Sequence, residues 1–436
     1  MEIQAALMLV IVFGLLLVFS VPVSYSIVIT GAITITTFLT PGFGVFISAQ
    51  KIVGGIDSFT LLAVPFFILA GLLMSSGGIA RRLINLAMLV LKYIPGALSL
   101  ANIAGNTLFG AISGSGIAAA TAVGGVMLPL AKEDGYDEGF SAAVNIASAP
   151  VGQLIPPTTA FIVYSAASGG TSVAALFMAG IIPGLIWALC CGAVALIIAK
   201  KRGYVSKSAK AYNTGSVLGT IWAATPSMFL LVIILGGILS GAFTATEASA
   251  IAVAYAFILA VCVYRSIKLD QIPNILKDAA IMTTIVMLII GASAVLSFVM
   301  SFTGLPKALS SLLLGISDNP YVILFIITLC LLGIGTFMDM APALLIFTPI
   351  FLPVVRDIGM SPIHFGVMIV TNLAIGTITP PVGNVLFVGC SIAKLQIENV
   401  IKPLIPLFVS LVVALLLITY VPAFSEWLPK LLGLMK

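Results

Sequence analysis

The sequence predicts an all-α polytopic membrane protein built from two related halves. Of its 436 residues, 61% are hydrophobic and only 8% are charged, whereas a soluble domain carries about 25% charged residues. The mean hydropathy of +1.26 agrees with a membrane protein. Two apolar segments are interrupted by proline and glycine, at residues 148–159 and 376–383. These paired interruptions predict one broken helix in each half of the chain.

The first interruption reads Ser-Ala-Pro-Val-Gly-Gln-Leu-Ile-Pro-Pro-Thr-Thr, and the second reads Gly-Thr-Ile-Thr-Pro-Pro-Val-Gly. A helix cannot continue through either, because each proline removes a backbone donor and its ring clashes with the preceding turn. Backbone freed in this way must be buried in protein or line a watery cavity. Broken helices at matching places in two halves indicate the binding site of a secondary transporter.

The interruptions belong to a longer internal similarity. Several residues of the first half recur in the second half at one constant offset, namely Pro129, Gly135, Pro156 and Pro157 as Pro353, Gly359, Pro380 and Pro381. Met74 and Gly78 recur at nearly the same offset, as Met300 and Gly304. A shared offset predicts a duplication of about half the chain. The alternative is chance agreement in a membrane sequence of low diversity.

Hydropathy then divides the chain into two repeats, 1–199 and 215–436, joined by a basic linker at 200–214. Each repeat is predicted to contain a re-entrant helical hairpin followed by the broken helix. The hairpins are expected at about 98–131 and 321–353, and the broken helices at about 139–167 and 363–393. The remaining predicted helices are spans near 5–21, 24–47, 59–74, 172–199, 216–239, 248–263, 279–302 and 403–421, with amphipathic segments at 81–92 and 265–277.

The linker carries Lys200, Lys201, Arg202, Lys207 and Lys210. Because basic loops remain on the cytoplasmic side, we expect the linker in the cytoplasm. An odd number of crossings in each half would invert the halves relative to one another and place both termini in the periplasm.

Several function classes are disfavoured by the sequence. There is no G-x-x-x-x-G-K-[ST] loop, so no ATPase is expected. The five cysteines and the single His364 lack metal-ligand spacing, and the net charge of +5 does not indicate a nucleic-acid partner. We therefore expect no enzyme activity and no cofactor. The apolar N-terminus lacks a basic leader, which predicts a retained span and not a cleaved signal peptide.

A hairpin tip facing a broken helix predicts a cation site, because unwound carbonyls and hydroxyls supply oxygens there. The predicted Na⁺ ligands are Ser113, Ser115, Gly116, Pro150 and Gly152 in the first half, and Gly335, Thr336, Asp339, Gly376, Thr377 and Thr379 in the second. The alternative is that these small residues only permit close helix packing.

Asp339 is a separate candidate, because an ionisable group within a membrane is costly and by default functional. It could ligate a cation, carry a proton or cap the following half-helix. Glu247 is interpreted as a helix-capping residue. Arg81 and Arg82 are interpreted as lipid-phosphate contacts, or as contacts of a substrate carboxylate if they reach the cavity. No role is assigned to His364.

Four motifs together resemble the large membrane subunit of TRAP transporters, the tripartite ATP-independent periplasmic transporters of bacteria. They are G-A-I-S-G-S-G-I-A-A-A-T at 110–121, the Pro-rich run at 150–159, T-A-T-E-A at 244–248 and G-T-F-M-D at 335–339. The resemblance implies sodium-coupled uptake of an organic acid in the bacterial inner membrane. It also implies an elevator mechanism, in which a transport domain moves against a scaffold.

Two partners follow from the same resemblance: a small four-span membrane subunit and a periplasmic substrate-binding protein. Because the chain begins directly at its first span, we expect the small subunit to be a separate chain. Substrates in the family include sialic acid and C4-dicarboxylates. The expected substrate contacts here are Ser113, Thr158, Asp339 and Asn384.

The competing interpretation is a stand-alone sodium- or proton-coupled carboxylate carrier of the wider ion-transporter superfamily. Such carriers share hairpins and inverted repeats but need no binding protein. Neighbouring genes for a binding protein and a four-span subunit would separate the two classes.

Overall fold

The computed structural model describes residues 2–38, 41–204, 216–317 and 319–435, and over these ranges the chain is helical without strands. We number the α-helices in chain order. They are α1 (Glu2–Val18), α2 (Val23–Phe38), α3 (Pro41–Ile56), α4 (Ala63–Ser76), α5 (Ile79–Leu91), α6 (Ala97–Ser113), α7 (Gly116–Glu133), α8 (Glu138–Ser148), α9 (Thr159–Ala167), α10 (Val173–Lys201), α11 (Val217–Leu239), α12 (Ala245–Phe257), α13 (Ile272–Thr303), α14 (Leu305–Ile316), α15 (Pro320–Gly335), α16 (Met340–Asp357), α17 (Pro362–Gly376), α18 (Asn384–Ala393), α19 (Ile397–Tyr420) and α20 (Ala423–Leu431).

Seven helical segments in the described ranges are long and apolar enough to cross a membrane. They are Phe59–Ser76, Val173–Lys201, Val217–Leu239, Ala245–Val263, Leu269–Thr303, Met340–Asp357 and Ile397–Tyr420. Three of them extend an α-helix by a short 3₁₀ or π segment. Since about 20 apolar residues span a bilayer, the predicted class of all-α polytopic membrane protein is confirmed.

Two pairs of consecutive helices turn back on themselves. Helices α6 and α7 meet at Gly114 and Ser115, where Gly114 has a φ of +64°, a left-handed conformation that glycine adopts without a Cβ clash. Helices α15 and α16 are separated by residues 336–339. The first and last residues of α7, Gly116 and Glu133, are related to those of α16, Met340 and Asp357, by the same offset as the repeated prolines. The helix bounds therefore follow the internal sequence similarity.

The two predicted interruptions are real breaks. Helix α8 ends at Ser148, a 3₁₀ turn covers Ala149–Gln153, and α9 begins at Thr159. Helix α17 ends at Gly376 and α18 begins at Asn384. The Pro156–Pro157 and Pro380–Pro381 peptide bonds are both cis.

Hairpins and broken helices of the two halves interlock. Helix α6 packs against the 3₁₀ turn of the first break, and α15 packs against α17. The second part of each broken helix contacts the hairpin of the opposite half, so α9 packs on α16 and α18 packs on α7. Helix α13 packs against α2, α3 and α4 and also against α16 of the second hairpin. The candidate site is therefore built by both halves together.

Two predicted elements differ from the structure, and helix α14 was not predicted. The span predicted at 24–47 is two helices, because Pro41 begins α3 in the first turn, where proline is well tolerated, and α3 continues to Ile56. The amphipathic connector predicted at 265–277 ends early, since α13 starts at Ile272. Helix α20 was not predicted. Of the linker, Lys200 and Lys201 form the last turn of α10, whereas Lys207 and Lys210 lie outside the described residues.

Candidate substrate and cation site

Each hairpin meets its broken helix through backbone contacts between glycines. A Cβ atom built on Gly152 would lie 2.5 Å from the Gly110 Cα. In the second half, a Cβ atom on Gly376 would lie 2.4 Å from the carbonyl carbon of Gly335. An added Cβ would clash with backbone atoms at Gly110, Gly152 and Gly376 and would be tight at Gly335, where the nearest atom lies at 3.1 Å. The breaks are therefore held directly against the hairpins.

The predicted ligands of the first half come together at the α6–α7 tip. The backbone of Gly116 faces Pro150, whose Cα would lie 3.2 Å from an added Cβ. The Ser115 Oγ accepts a hydrogen bond from the Ala118 amide and caps α7. The Ser113 Oγ is enclosed and has no hydrogen-bond partner among the described residues. Ser113 therefore offers an uncommitted oxygen at the tip, while Ser115 has a structural bond as well.

The predicted threonines of the second half all donate their hydroxyl hydrogens to their own helices. The acceptors of Thr336, Thr377 and Thr379 are the carbonyls of Gly333, Ala374 and Ile375, each at 2.7 Å. A hydroxyl that donates in this way keeps its lone pairs, so each oxygen can still accept from a donor or ligate a cation.

Several backbone carbonyls among the predicted ligands of the second half already accept hydrogen bonds, including that of Gly376, which accepts from the Thr379 amide at 3.0 Å. The Thr336 carbonyl accepts from the Val382 amide at 3.2 Å. The Thr377 carbonyl accepts from the Val385 and Leu386 amides at 3.0 and 3.3 Å. The Val382 bond joins the second break to its hairpin, and the bonds to the Thr377 carbonyl shift the candidate oxygen of Thr377 to its hydroxyl.

Asp339 and Asn384 form a pair across the second break. The Asn384 Nδ2 donates to the Asp339 Oδ1 at 3.0 Å. Asp339 occupies the N-cap position of α16, but its side chain makes no capping hydrogen bond. The capping role that the sequence left open for Asp339 is therefore wrong. Its exposed carboxylate, bonded through Oδ1 to Asn384, keeps further lone pairs for a ligand.

The two tips are neighbours in space. A Cβ atom on Gly116 would lie 3.5 Å from the Val385 Cγ2, and Val385 follows Asn384 in α18. Ser115 and Asp339, which the repeat offset relates to one another, occupy the N-cap positions of α7 and α16. The structure thus joins the predicted residues of both halves into one region.

Thr158 is placed differently from its prediction as a substrate contact. Its side chain is fully buried, and its hydroxyl oxygen accepts from the Ala160 amide at 3.2 Å and caps α9. Gly114 approaches it closely, because an added Cβ would lie 3.3 Å from the Thr158 Cα. Thr158 therefore supports the first tip from behind.

Buried amides that the sequence analysis did not single out clamp the hairpins to the broken helices. The Asn106 amide lies within 3.2 Å of acceptors on Asn102, Asn145 and Ser148, while the Asn145 Nδ2 donates to the Ala120 carbonyl. In the second half, the Asn372 Nδ2 donates to the Thr328 carbonyl at 3.2 Å. The only signal in the sequence is an amide side chain inside an apolar helix.

Glu247 and Arg82, which were also considered in the sequence, have protein partners. Glu247 and Thr244 form a capping box at the start of α12, as predicted. Arg82 stacks on the Tyr264 ring at 3.7 Å and donates to the Gly77 and Gly78 carbonyls, so its guanidinium is bound by protein. The described residues contain no group of three His, Cys, Asp or Glu side chains that could hold a metal ion.

Comparison with known proteins places the chain in a family. The family model described as "Tripartite ATP-independent periplasmic transporter, DctM component" matches residues 9–424. The chain is 50% identical to the uncharacterized protein YgiK of Salmonella typhimurium, over 90% of both chains. It is 38% identical to the sialic acid TRAP transporter large permease protein SiaM of Vibrio cholerae, over 90% of this chain and 91% of that one.

A solved structure supports the fold. The YdaH transporter of Alcanivorax borkumensis superimposes with a TM-score of 0.60, at 13% identity, over 88% of this chain and 90% of that chain. At this identity the similarity concerns the fold alone. The match of the family model across nearly the whole chain decides the assignment: the chain belongs to the DctM component family, the large permeases of tripartite ATP-independent periplasmic transporters.

Proposed function

We propose that this permease carries out sodium-coupled uptake of an organic acid, delivered by a periplasmic binding protein, by an elevator mechanism. Membership of the family makes it a transporter of organic acids and implies a small membrane subunit and a binding protein as partners. Coupling to Na⁺, the elevator motion, a separate small subunit and the periplasmic location of both termini belong to the proposal.

The observation that carries the proposal is the junction of the two hairpin tips. It combines an exposed carboxylate, Asp339, with the Asn384 amide, the unpartnered Ser113 hydroxyl and the hydroxyl oxygens of Thr336, Thr377 and Thr379. Hydroxyl, amide and carboxylate oxygens are hard ligands that suit Na⁺. Broken helices with half-helix ends at a shared centre suit the simultaneous binding of a cation and an anionic solute.

Substrate identity is proposed at the level of class. Large permeases of this family in other bacteria are named for sialic acid, for C4-dicarboxylates and for 2,3-diketo-L-gulonate. All three are organic anions, and we expect an organic acid of the sialic acid or C4-dicarboxylate class here. Ser113, Asp339 and Asn384 are the proposed substrate contacts, with Thr158 behind them.

Asp339→Asn tests the coupling. Hydrogen bonds to charged groups contribute about 1.5–3 kcal/mol, so losing the carboxylate should raise the Na⁺ concentration for half-maximal uptake by about 10- to 100-fold. Ser115→Ala should have a smaller effect, because it removes one neutral oxygen. The measurement is a sodium titration of uptake into proteoliposomes that contain the full transporter and its binding protein.

The control is Asp270→Asn, which removes an exposed carboxylate from the turn before α13 and should titrate like the wild type. An Asp339→Asn variant with an unchanged sodium titration would contradict a role of Asp339 in cation binding. Uptake driven equally well by a proton gradient without Na⁺ would contradict sodium coupling and favour Asp339 as a proton carrier.

A further inference from the structure

A cavity of about 370 Å³ lies between α3 and α13 on one side and α9 and α16 on the other. None of the candidate site residues lines it. Its polar lining comes from Lys51 on α3 and from three serines on α13, which are Ser293, Ser297 and Ser301. The cavity is thus separate from the hairpin tips. It borders α9, from the broken helix of the first half, and α16, from the hairpin of the second half.

The three serines are spaced four residues apart, which places them on one face of α13. Hydroxyls inside helices of this chain usually donate to the carbonyl one turn earlier, as those of Thr34, Ser48 and Thr303 do. Over the described ranges, no hydrogen bond is formed by the hydroxyls of the three serines. The Ser293 oxygen is buried and unpartnered, with only 3% of the residue exposed.

A row of unpartnered hydroxyls indicates a ligand. A buried polar group without a partner is costly, and native structures leave few of them. Serines inside helices can return their hydrogen to the backbone. Ser293 is buried, Ser297 is half-buried and Ser301 is exposed, so the buried Ser293 hydroxyl is the group that most needs an acceptor inside the cavity.

Lys51 supplies the charge for such an acceptor. Its Nζ lies 4.8 Å from the centre of the Phe298 ring, beside Ser297. No carboxylate lies within 4.0 Å of it in the described part of the chain. Lys51 is half-buried, and an ammonium group without an acidic partner attracts an anion.

The position of Lys51 is fixed by close packing of α3 on α13. A Cβ atom on Gly55 would lie 2.5 Å from the Ala294 Cβ, and one on Gly291 would lie 2.9 Å from the Ile56 Cδ1. These glycines bring the two helices together, so the ammonium group and the serine row line the same cavity.

We propose that this cavity is a second substrate subsite, in which Lys51 and the serine row bind the acid group of an organic anion before it reaches the hairpin tips. The subsite rests on the proposed function, since it takes the acid group of the transported solute. A carboxylate of a free solute and a phosphate of a lipid headgroup share this chemistry, and the experiment separates them.

The experiment measures the labelling of Ser297→Cys by anionic and cationic methanethiosulfonate reagents, in the full chain in phosphatidylcholine nanodiscs. Site-resolved mass spectrometry reports position 297, so the native cysteines can remain. We expect the anionic reagent to react faster. Lys51→Gln should lower the anionic-to-cationic rate ratio by about tenfold, while Lys51→Arg should preserve it.

The matched control is Lys92→Gln, because the Lys92 ammonium also lies over an aromatic ring, Tyr93, at 5.1 Å but does not line the cavity. It should leave the ratio unchanged. Protection of position 297 by soluble sialic acid or succinate is the result expected of a solute subsite. If position 297 is protected in phosphatidylglycerol nanodiscs but by neither solute, the bound group is a lipid phosphate and the proposal is overturned.

Equal labelling by both reagents, or no labelling at position 297, would also overturn the subsite. Failure of this inference is distinguishable from failure of the proposed function. If the wild-type chain shows sodium-driven uptake but Lys51→Gln leaves the labelling ratio unchanged, only the subsite is wrong. If labelling is charge-selective but uptake does not depend on sodium, only the proposed sodium coupling is wrong.

Discussion

At the residue scale, the candidate site depends on four glycines that have no side chain to contribute. Gly110 faces Gly152, and Gly335 faces Gly376, with backbone atoms where a Cβ would be. Small residues let membrane helices approach until their backbones touch. The same approach brings the hydroxyls and carbonyls of the tips within reach of a common ligand. Close packing and ligand binding therefore require the same residues, and the packing alternative raised by the sequence does not exclude a binding role.

Gly376→Ala should separate the second break from its hairpin. The added methyl group would meet Gly335 backbone atoms at 2.4–2.6 Å, and overpacking of this kind costs about 1–3 kcal/mol. We expect a lower thermal unfolding midpoint in detergent and weaker sodium dependence of uptake.

Gly333→Ala is the matched control, because Gly333 lies on α15, the hairpin helix that Gly376 contacts at Gly335. Nothing lies within 4 Å of a Cβ added at Gly333. It should unfold like the wild type. Equal midpoints for the two variants would contradict the tight contact at Gly376.

Residues with backbone roles could be predicted from the sequence, and residues with side-chain roles only in part. Proline and glycine leave a local signature, so the breaks could be located before the structure. Asn145 and Asn372 could not be predicted, because a single amide in an apolar helix does not indicate whether it faces lipid or a partner. Lys51 falls between the spans predicted at 24–47 and 59–74, whereas in the structure it lies within α3 and lines a cavity.

At the element scale, the C-terminal helix α20 is docked by a polar cluster. The Ser361 hydroxyl donates to the Glu426 Oε1 at 2.6 Å, and the Lys430 Nζ lies 2.8 Å from the Oε2. The His364 ring contacts the Ser425 hydroxyl and the Thr419 carbonyl. The Ser361–Glu426 and His364–Ser425 bonds tie α20 to the start of α17, the first part of the second broken helix, and give His364 a structural role.

Glu426→Gln should loosen α20. Burial acts to raise the pKa of Glu426, but the bonds from Lys430 and Ser361 outweigh it, and the pKa lies below its ordinary value of 4.5. Because the pKa of Glu426 is lower in the folded protein than in the unfolded chain, its ionisation stabilises the folded state at pH values above the ordinary pKa. This stabilisation is lost as the pH falls through the pKa of the folded state. Ion pairs at this level of exposure contribute up to about 1 kcal/mol.

Hydrogen exchange of the α20 amides is the measurement. The wild type should exchange faster as the pH falls below about 4.5, after correction for the intrinsic rate, and Glu426→Gln should exchange up to about fivefold faster at neutral pH. Glu398→Gln, an exposed acid in the first turn of α19, should change neither. Identical exchange in all three proteins would show that packing alone holds α20.

Elements were predictable where hydropathy and breaking residues agreed. Residues 24–47 form a nearly continuous apolar run, which obscured Pro41 as the first residue of a new helix. The polar residues Lys268 and Asp270 suggested a surface connector, although a helix begins at Ile272 just after them. Helix α20 is short and amphipathic, and its docking depends on Ser361 and His364, which are distant in sequence.

At the scale of the whole molecule, the two halves are interlocked. Helix α9 packs on α16 and α18 packs on α7, so each hairpin contacts both broken helices. This exchange explains how residues in different halves of the sequence, such as Ser115 and Asp339, come to occupy equivalent places in one region. A solute held there would contact both halves at once, which is the arrangement that alternating access needs.

The last prediction concerns the orientation of the two halves, which follows from the odd number of crossings expected in each. Helices α7 and α16 end at Glu133 and Asp357, and the repeat offset relates these two residues to one another. If the halves are inverted, the two positions lie on opposite sides of the membrane, with Glu133 on the cytoplasmic side together with the basic residues after α10.

Glu133→Cys, Lys201→Cys and Asp357→Cys should therefore differ in labelling by a membrane-impermeant thiol reagent. In right-side-out cells we expect Asp357→Cys to react, and Glu133→Cys and Lys201→Cys to react only after the membrane is permeabilised. The unsubstituted chain measures the background from its native cysteines, of which Cys262 and Cys330 are exposed. The Asp357 carboxylate also accepts a hydrogen bond from the Ser310 hydroxyl at 2.7 Å. Asp357→Glu keeps a carboxylate at this position and should leave uptake intact. Labelling of positions 133 and 357 from the same side would mean that the two halves run parallel, and the symmetry that joins the hairpin tips would then need another explanation.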